Sequence, residues 1–317
     1  MKKYSTLVGP IIFCLVSTSA CKKDKPVVNP DEVRLTGLDT KVNGGTSTLH
    51  ISFVYDPNGK IRQISSRLDN AASPNILYNV LYSANNPNEI VVAVPAIVTN
   101  GNEITDTTRL FADGNNMVTK RIRFAFEGYK APQNLPKRTY TFDTTTYEYD
   151  GAGLLIKETR GGIDSTWFNP GIVETTNIRT TGESAYTNTN GDLKKVISLN
   201  HTTTTTRVGS NTIIEIRGSS SNFSLQYNQL YPNKTDFKNA AVLNQLNLFA
   251  GLPMNKNYQH LPSYTQLIYQ ELDQNGGTIS GYTSFSNNQF AYNYYGFVES
   301  KIDAAAPQGK VTYVYSQ

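Results

Sequence analysis

Hydrophobic and polar residues alternate along most of the chain, in short runs that end at turn-forming residues. In the first clear run, residues 49–55 (LHISFVY), apolar side chains recur at every second position. Residues 56–59 (DPNG) then combine a proline that presets a turn conformation with an Asn-Gly pair that tolerates positive φ. A second alternating run follows at 60–64. A period of two residues is typical of half-buried strands, so the segment is predicted to form a β-hairpin.

The same pattern recurs at irregular intervals. Further hairpins are predicted at 107–126, 147–158, 185–197, 202–217, 267–279 and 290–302, with a last alternating strand at 310–315. Successive hairpins place each strand beside its sequence neighbours. The predicted fold is therefore all-β, an antiparallel sheet of about ten or more strands. It is expected to form a large twisted meander or an open, barrel-like arrangement.

Two features interrupt the alternation. Residues 236–250 (DFKNAAVLNQLNLFA) bring apolar side chains to helical spacing, with Asp236 available as an N-cap and Gly251 just beyond the end. This predicts one short helix near 236–250. The proline-containing stretch at 132–136 and residues 167–171 (WFNPG) are predicted to be loop-rich and to separate two halves of the sheet without dividing the domain.

The first residues have the pattern of an exported protein. Lys2 and Lys3 precede an apolar run at 7–16, and small residues then lead to Cys21. The run is too short to span a bilayer, which needs about 20 apolar residues. The arrangement resembles the lipobox of bacterial lipoproteins, in which the cysteine is acylated and becomes the mature N-terminus. Thr18 stands where that family usually has leucine. The alternative is an ordinary secretory signal with an incidental cysteine.

The lipobox resemblance implies a division of the chain and a location. It implies a signal peptide at 1–20 and lipidation of Cys21. The polar, proline-containing residues that follow predict a flexible tether at 21–32, and the alternating pattern predicts a single antiparallel β domain at 33–317. The protein is then expected to be an outer membrane lipoprotein that faces the periplasm or the cell exterior. Cys14 would be removed with the signal, which leaves no second cysteine for an intramolecular disulfide.

Composition supports strands and gives no indication of nucleic-acid binding. The chain has 20 Tyr and 13 Phe, residues that suit a pleated, half-buried surface. The net charge of +4 includes five lysines near the start, Lys2, Lys3, Lys22, Lys23 and Lys25. The rest of the chain is close to neutral, so no nucleic acid is expected among its partners.

The repeated turns also carry a family resemblance. Residues 147–153 (YEYDGAG) resemble the YD-type repeats of bacterial surface and toxin-shell proteins. The start at 21–24 (CKKD), the hairpins and residues 247–253 (NLFAGLP) are similar to a group of uncharacterised lipoproteins of the Bacteroidetes. This resemblance implies the fold and the location but no established activity.

Candidate catalytic and metal-binding residues are few and scattered. His50, His201 and His260 are the only histidines and lie far apart in the sequence, and no mature cysteine could complete a zinc site with them. Glu148 and Asp150 are the nearest approach to a carboxylate pair, but turn-proximal acids usually bond to their own backbone. We therefore predict no catalytic residue, no metal site and no cofactor.

Two weaker motifs have simpler interpretations. Residues 56–59 resemble the start of a calcium loop, but position 67, where an EF-hand has glutamate, is Arg. A turn is the preferred interpretation. Residues 106–108, 143–145 and 164–166 (DTT, DTT and DST) resemble the Asp-Ser/Thr acceptors of bacterial O-glycosylation. In a threonine-rich chain three such matches are weak evidence, and the composition alone is the preferred explanation.

The sequence therefore favours a membrane-anchored binding or scaffold module without catalysis. The expected partners are the membrane, through acylated Cys21, and a glycan or an envelope protein. The alternative is a glycan-processing or glycan-binding enzyme component of the cell surface, in which tyrosines and Trp167 would stack on sugar rings. An enzyme requires two carboxylates converging in a cleft, one with a raised pKa. A binding module requires only an exposed aromatic patch.

Overall fold

Successive antiparallel hairpins form the fold of this protein. A computed structural model of the chain describes residues 33–42, 46–69, 71–99, 102–130, 136–168, 174–233, 239–243, 258–293, 297–304 and 306–316. The predicted signal peptide, Cys21 and the tether lie outside these described residues. Within the described ranges, no helix has the length and apolar character needed to cross a membrane.

Sixteen strands and one short helix make up the described part of the chain. The strands are β1 (Arg34–Val42), β2 (Ser47–Tyr55), β3 (Ile61–Leu68), β4 (Asn75–Tyr82), β5 (Glu89–Thr99), β6 (Asn102–Ala112), β7 (Val118–Lys130), β8 (Pro136–Tyr149), β9 (Leu155–Phe168), β10 (Glu174–Thr189), β11 (Asp192–Val208), β12 (Asn211–Pro232), β13 (His260–Leu272), β14 (Thr278–Tyr292), β15 (Val298–Asp303) and β16 (Ala306–Ser316). The helix, α1, spans Ala240–Leu243 between β12 and β13.

The strands close into a barrel. Each strand pairs antiparallel with its sequence neighbours, and β1 pairs with β16 from Arg34↔Ser316 to Thr40↔Val311, with an irregularity between Leu35 and Gly37. Closure removes the two free edges that an open sheet would expose to other chains. The all-β meander predicted from the sequence is confirmed, and the sheet is a closed one.

The turns use the residues that the sequence pattern singled out. At the β8–β9 turn, the Asp150 carboxylate accepts hydrogen bonds from the backbone N–H groups of Ala152 and Leu154, both at 2.9 Å. Gly153 has φ 75°, a conformation that favours glycine because it has no Cβ. The same carboxylate-to-backbone bonding occurs at Asp56, Asp113 and Asp273. These acids are therefore turn-forming residues.

One end of the barrel, which we call the helix rim, contains the apolar core. It carries α1 and the turns at 56–60, 113–117 and 150–154; the opposite end, the far rim, carries the turn at 273–277. Val242 and Leu243 of α1 are fully buried against inward-facing side chains of the surrounding strands, among them Leu35, Ile61, Ile64, Leu110 and Val298. A second cluster packs Leu154, Leu193, Leu225 and Tyr258 together. The helix thus packs into the larger of the two apolar clusters at this end of the barrel.

The structure differs from two of the predictions made from the sequence. The helix predicted near 236–250 is present as Ala240–Leu243, while 236–238 and 244–250 lie outside the described residues. The predicted break in the sheet at 132–136 and 167–171 is wrong where it can be tested. Trp167 is a strand residue paired with Arg138 on one side and Thr175 on the other. β8, β9 and β10 pair with one another without a break, and residues 169–171 lie outside the described residues.

Candidate binding surface

Aromatic side chains of three adjacent strands collect on the outer face of the barrel. Alternation along β7, β8 and β9 sends every second residue outward, and in the half nearer the far rim these residues are large and apolar. We call this set the aromatic groove: Phe124, Phe126, Tyr140, Phe142, Ile163 and Trp167. With Thr105, Thr107 and Ser165 they line a depression of about 440 Å³.

The register of the strands brings these rings into contact. Phe124 pairs with Phe142, and Phe126 with Tyr140 in the next outward-facing row. Their ring centroids are 5.0 Å and 4.8 Å apart, and both pairs are tilted. Tyr140 also meets Trp167 edge-on, at 5.2 Å between centroids and 82° between planes. Tilted and edge-on contacts are the preferred geometries of aromatic pairs, so the groove has a defined shape.

The rings remain exposed despite these contacts. Phe124, Tyr140 and Trp167 keep 47%, 46% and 42% of their surface open to solvent. Polar groups border them: Thr105 and Thr107 on the β6 side, and Ser165 on the β10 side, where its hydroxyl donates to the Asn177 amide oxygen at 2.7 Å. A contiguous apolar patch with a polar border is characteristic of a binding surface.

The inner face of the same strands carries charge instead. The Arg123 guanidinium donates two hydrogen bonds to one oxygen of Asp106, at 2.7 and 3.0 Å, and lies 3.5 Å from Asp143. The negative charge of Asp164 also contributes to the raised pKa of Arg123. Burial raises the pKa of Asp143, and the positive charge of Arg123 opposes that rise. Beyond them, Tyr186 donates to Glu158 at 2.7 Å, and Glu158 is also paired with Arg160.

The three Asp-Ser/Thr motifs are therefore divided between the two faces. Their acids, Asp106, Asp143 and Asp164, surround Arg123 on the inner face. The residues that follow face outward, and two of them, Thr107 and Ser165, line the aromatic groove. Strand alternation alone produces this division, and O-glycosylation of these residues stays a prediction.

The three histidines lie at separate places. The two ring nitrogens of His50 are 2.7 Å from Asp39 and 2.7 Å from Asp69, so neither is available to activate a hydroxyl nucleophile. His260 is held at 2.9 Å by Asp192 near the helix rim. His201 lies exposed on β11. The fold brings no two of them together.

The remaining candidates have structural contacts of their own. Asp150 forms a turn, and the neighbouring Glu148 lies exposed on β8. Asp56 likewise accepts the Lys60 N–H at 2.9 Å within its turn. Across the described ranges, no group of three or more His, Cys, Asp or Glu side chains is arranged to hold a metal ion.

Sequence reasoning singled out Trp167 but missed Phe124, Phe126, Tyr140 and Phe142. The available signal was the spacing of aromatic residues two apart in consecutive predicted strands, in 124–126 (FAF) and 140–142 (YTF). Such pairs share one face of a strand. Their alignment across strands depends on register, which is visible only in the structure.

Comparisons with known proteins do not assign the chain to a family. A scan against protein-family models finds no match, and a search of curated proteins finds none either. No enzyme family is identified for the chain. The resemblance to Bacteroidetes lipoproteins stays a prediction from the sequence.

Proposed function

We propose that this protein is a lipid-anchored binding module of the cell envelope, and that the aromatic groove binds carbohydrate. The observation that carries the proposal is the exposed, ordered set of rings on β7, β8 and β9. An aromatic face carries partial negative charge, which attracts the C–H bonds on the apolar side of a sugar ring. The hydroxyl and amide groups at the border of the groove match the hydroxyl groups at the edge of a sugar.

The position of the acids favours binding over hydrolysis. The carboxylates of Asp106, Asp143 and Asp164 lie on the inner face, whereas the rings lie on the outer face of the same strands. The backbone of the sheet therefore separates the two sets. A sugar stacked on Tyr140 or Trp167 is out of reach of an acid with a raised pKa, which glycosidic cleavage requires.

The binding proposal is tested by removing the two rings of the central strand. Tyr140→Ala combined with Phe142→Ala is expected to weaken binding to a panel of defined hexasaccharides by at least about tenfold, since central aromatic anchors dominate binding energy. Isothermal titration calorimetry on residues 26–317 measures this. The matched control, Tyr282→Ala with Phe285→Ala, removes the same residue types from exposed positions on β14. Absence of binding to every hexasaccharide, or equal affinity in both double variants, would overturn the proposal.

The membrane anchor is a separate part of the proposal. It is supported by the small residues before Cys21 and by the charged residues after it. Cys21→Ser is expected to release the protein from the membrane fraction and to prevent labelling with an acyl-chain probe. Unchanged fractionation of this variant would contradict lipid anchoring and leave the groove proposal intact.

A further inference from the structure

Two arginines lie on the outer face of the barrel, at opposite corners of the aromatic groove. Arg138 on β8 is the cross-strand partner of Trp167, and Arg179 on β10 is the cross-strand partner of Ile163. Cross-strand partners have Cβ atoms about 5 Å apart, so each guanidinium can reach over the neighbouring apolar side chain. Both arginines are exposed, and neither forms an ion pair with any other described residue.

Two acids on the strands beneath the groove face away from these arginines. Asp143 and Asp164, on β8 and β9, point to the inner face, where Arg123 lies between them. On the outer face, the acid in the same cross-strand row as Arg138 is Glu103. Gly128 of β7 lies between Glu103 and Arg138, whose Cα atoms are about 10 Å apart. The groove therefore combines stacking rings with two arginines that form no ion pair among the described residues.

We infer that the ligand of the groove is an acidic glycan, a chain of sugars that carry carboxylate or sulfate groups. This inference rests on the proposed function. A guanidinium presents a planar set of N–H donors that matches a carboxylate or sulfate in a two-pronged contact. Arg138 and Arg179 are two strands and four residues apart, roughly 16 Å. Ionic groups on different sugars of one chain can reach both arginines while the sugar rings between them stack on Tyr140 and Trp167, which flank the path from one arginine to the other.

The test compares two ligands with the same sugar backbone and different charge. Hexagalacturonate carries a carboxylate on every sugar, and its fully methyl-esterified form carries none. Wild-type protein is expected to bind the acid at least about tenfold more tightly than the ester at low salt. Raising the salt concentration is expected to weaken binding of the acid and to leave the ester unaffected, because salt screens exposed charges.

Variants assign the preference to the two arginines. Arg138→Gln with Arg179→Gln is expected to lose the preference for the acid, Arg138→Lys with Arg179→Lys to keep most of it, and Arg62→Gln on β3 to behave as wild type. Equal affinity for acid and ester would overturn the inference while leaving carbohydrate binding in place. An acid preference that persists in the glutamine double variant would also overturn it. If neither ligand binds, the inference fails, and the proposed function fails with it only if no member of the hexasaccharide panel binds either.

Discussion

At the scale of single residues, His50 connects three parts of the barrel wall. Its ring lies between Asp39 of β1 and Asp69, just after β3, and the Asp69 carboxylate also accepts the Thr48 N–H at 2.7 Å. The hydrogen bond to Asp69 is the largest cause that raises the pKa of His50, and the hydrogen bond to Asp39 is the next largest. The pKa of Asp69 is lowered to about 2, mainly by the hydrogen bond from His50 and to a smaller extent by the one from Thr48. The contact is an exposed one and is screened by solvent.

The pH dependence of stability follows from these two shifts. Because the pKa of His50 is raised on folding, its contribution is complete below its unfolded value, about 6.5, and is lost as pH rises through the folded value. Because the pKa of Asp69 is lowered, its contribution is present above about 4 and is lost as pH falls towards 2. His50→Gln is therefore expected to lower the melting temperature slightly at pH 5.5 and to have less effect at pH 8.5.

Thermal unfolding at the two pH values, followed by circular dichroism, measures this difference. His201→Gln, on the exposed face of β11, is the matched control and is expected to show no such pH dependence. An equal effect of His50→Gln at both pH values would show that the contact contributes through the shape of the ring and not through its charge.

At the scale of elements, the side chain of Asn239 attaches α1 to the barrel. Asn239 is almost fully buried, its Oδ1 accepts the Ile61 N–H at 3.1 Å, and its Nδ2 donates to the Gly59 carbonyl at 3.3 Å. These bonds satisfy backbone groups of the β2–β3 turn, which would otherwise be buried without partners. Val242 and Leu243 then enter the core directly below.

Removing either half of this attachment is expected to destabilise the protein measurably. Asn239→Ala leaves buried backbone groups unpaired, at a cost of about 1–3 kcal/mol in the free energy of unfolding. Leu243→Ala leaves a cavity in the core and is expected to cost about 2–5 kcal/mol. Leu230→Ala, at a position that is 76% exposed, should stay within about 0.5 kcal/mol of wild type. Urea unfolding of the three variants gives these values. A Leu243→Ala protein as stable as the Leu230→Ala control would show that the packing of α1 does not stabilise the core.

Hairpins are the elements that the sequence predicts well, because their determinants are local. The turns at 56–60 and 150–154 combine an aspartate with a glycine three residues later, and each folds back on its own backbone. The short helix was also predictable, since the segment around 240–243 lacks the alternation of its surroundings. Strand order follows from the same information, because each strand pairs with its neighbours in the chain.

Features set by register were not predictable from the sequence. Alternation shows that Tyr140 and Phe142 share a face of one strand, but not which residues of β7 and β9 lie beside them. A shift of one residue in register would have moved a whole strand's side chains to the other face. The meeting of Asp106, Asp143 and Asp164 around Arg123 depends on register in the same way. Local sequence patterns do not determine these lateral alignments.

At the scale of the whole molecule, closure depends on the β1–β16 seam. Thr312 of β16 lies in the middle of this seam, with Asp39 as its partner on β1 and Ser300 as its partner on β15. Thr312→Pro removes a backbone donor from the sheet. It is expected to cost about 1–3 kcal/mol and to increase self-association, because weakened closure exposes strand edges.

Thr312→Ala is the matched control, since it shortens the same side chain and keeps the backbone N–H. Urea unfolding and size-exclusion chromatography across a range of protein concentrations compare the two variants. If both are equally stable and monomeric, the seam does not control the integrity of the barrel.

The order of the strands also bears on the route by which the chain folds. Each pairing from β1 to β16 joins neighbours in sequence, whereas the seam brings together residues such as Thr36 and Val314, separated by 278 positions. Local pairings form fast because they close short loops, and the entropy of closing one long loop is lost only at the seam. Hairpins can therefore assemble in turn along the chain, while β1 keeps an open edge. We expect the main kinetic barrier at the last step, when β16 reaches β1 and a curved ribbon of strands becomes a ring.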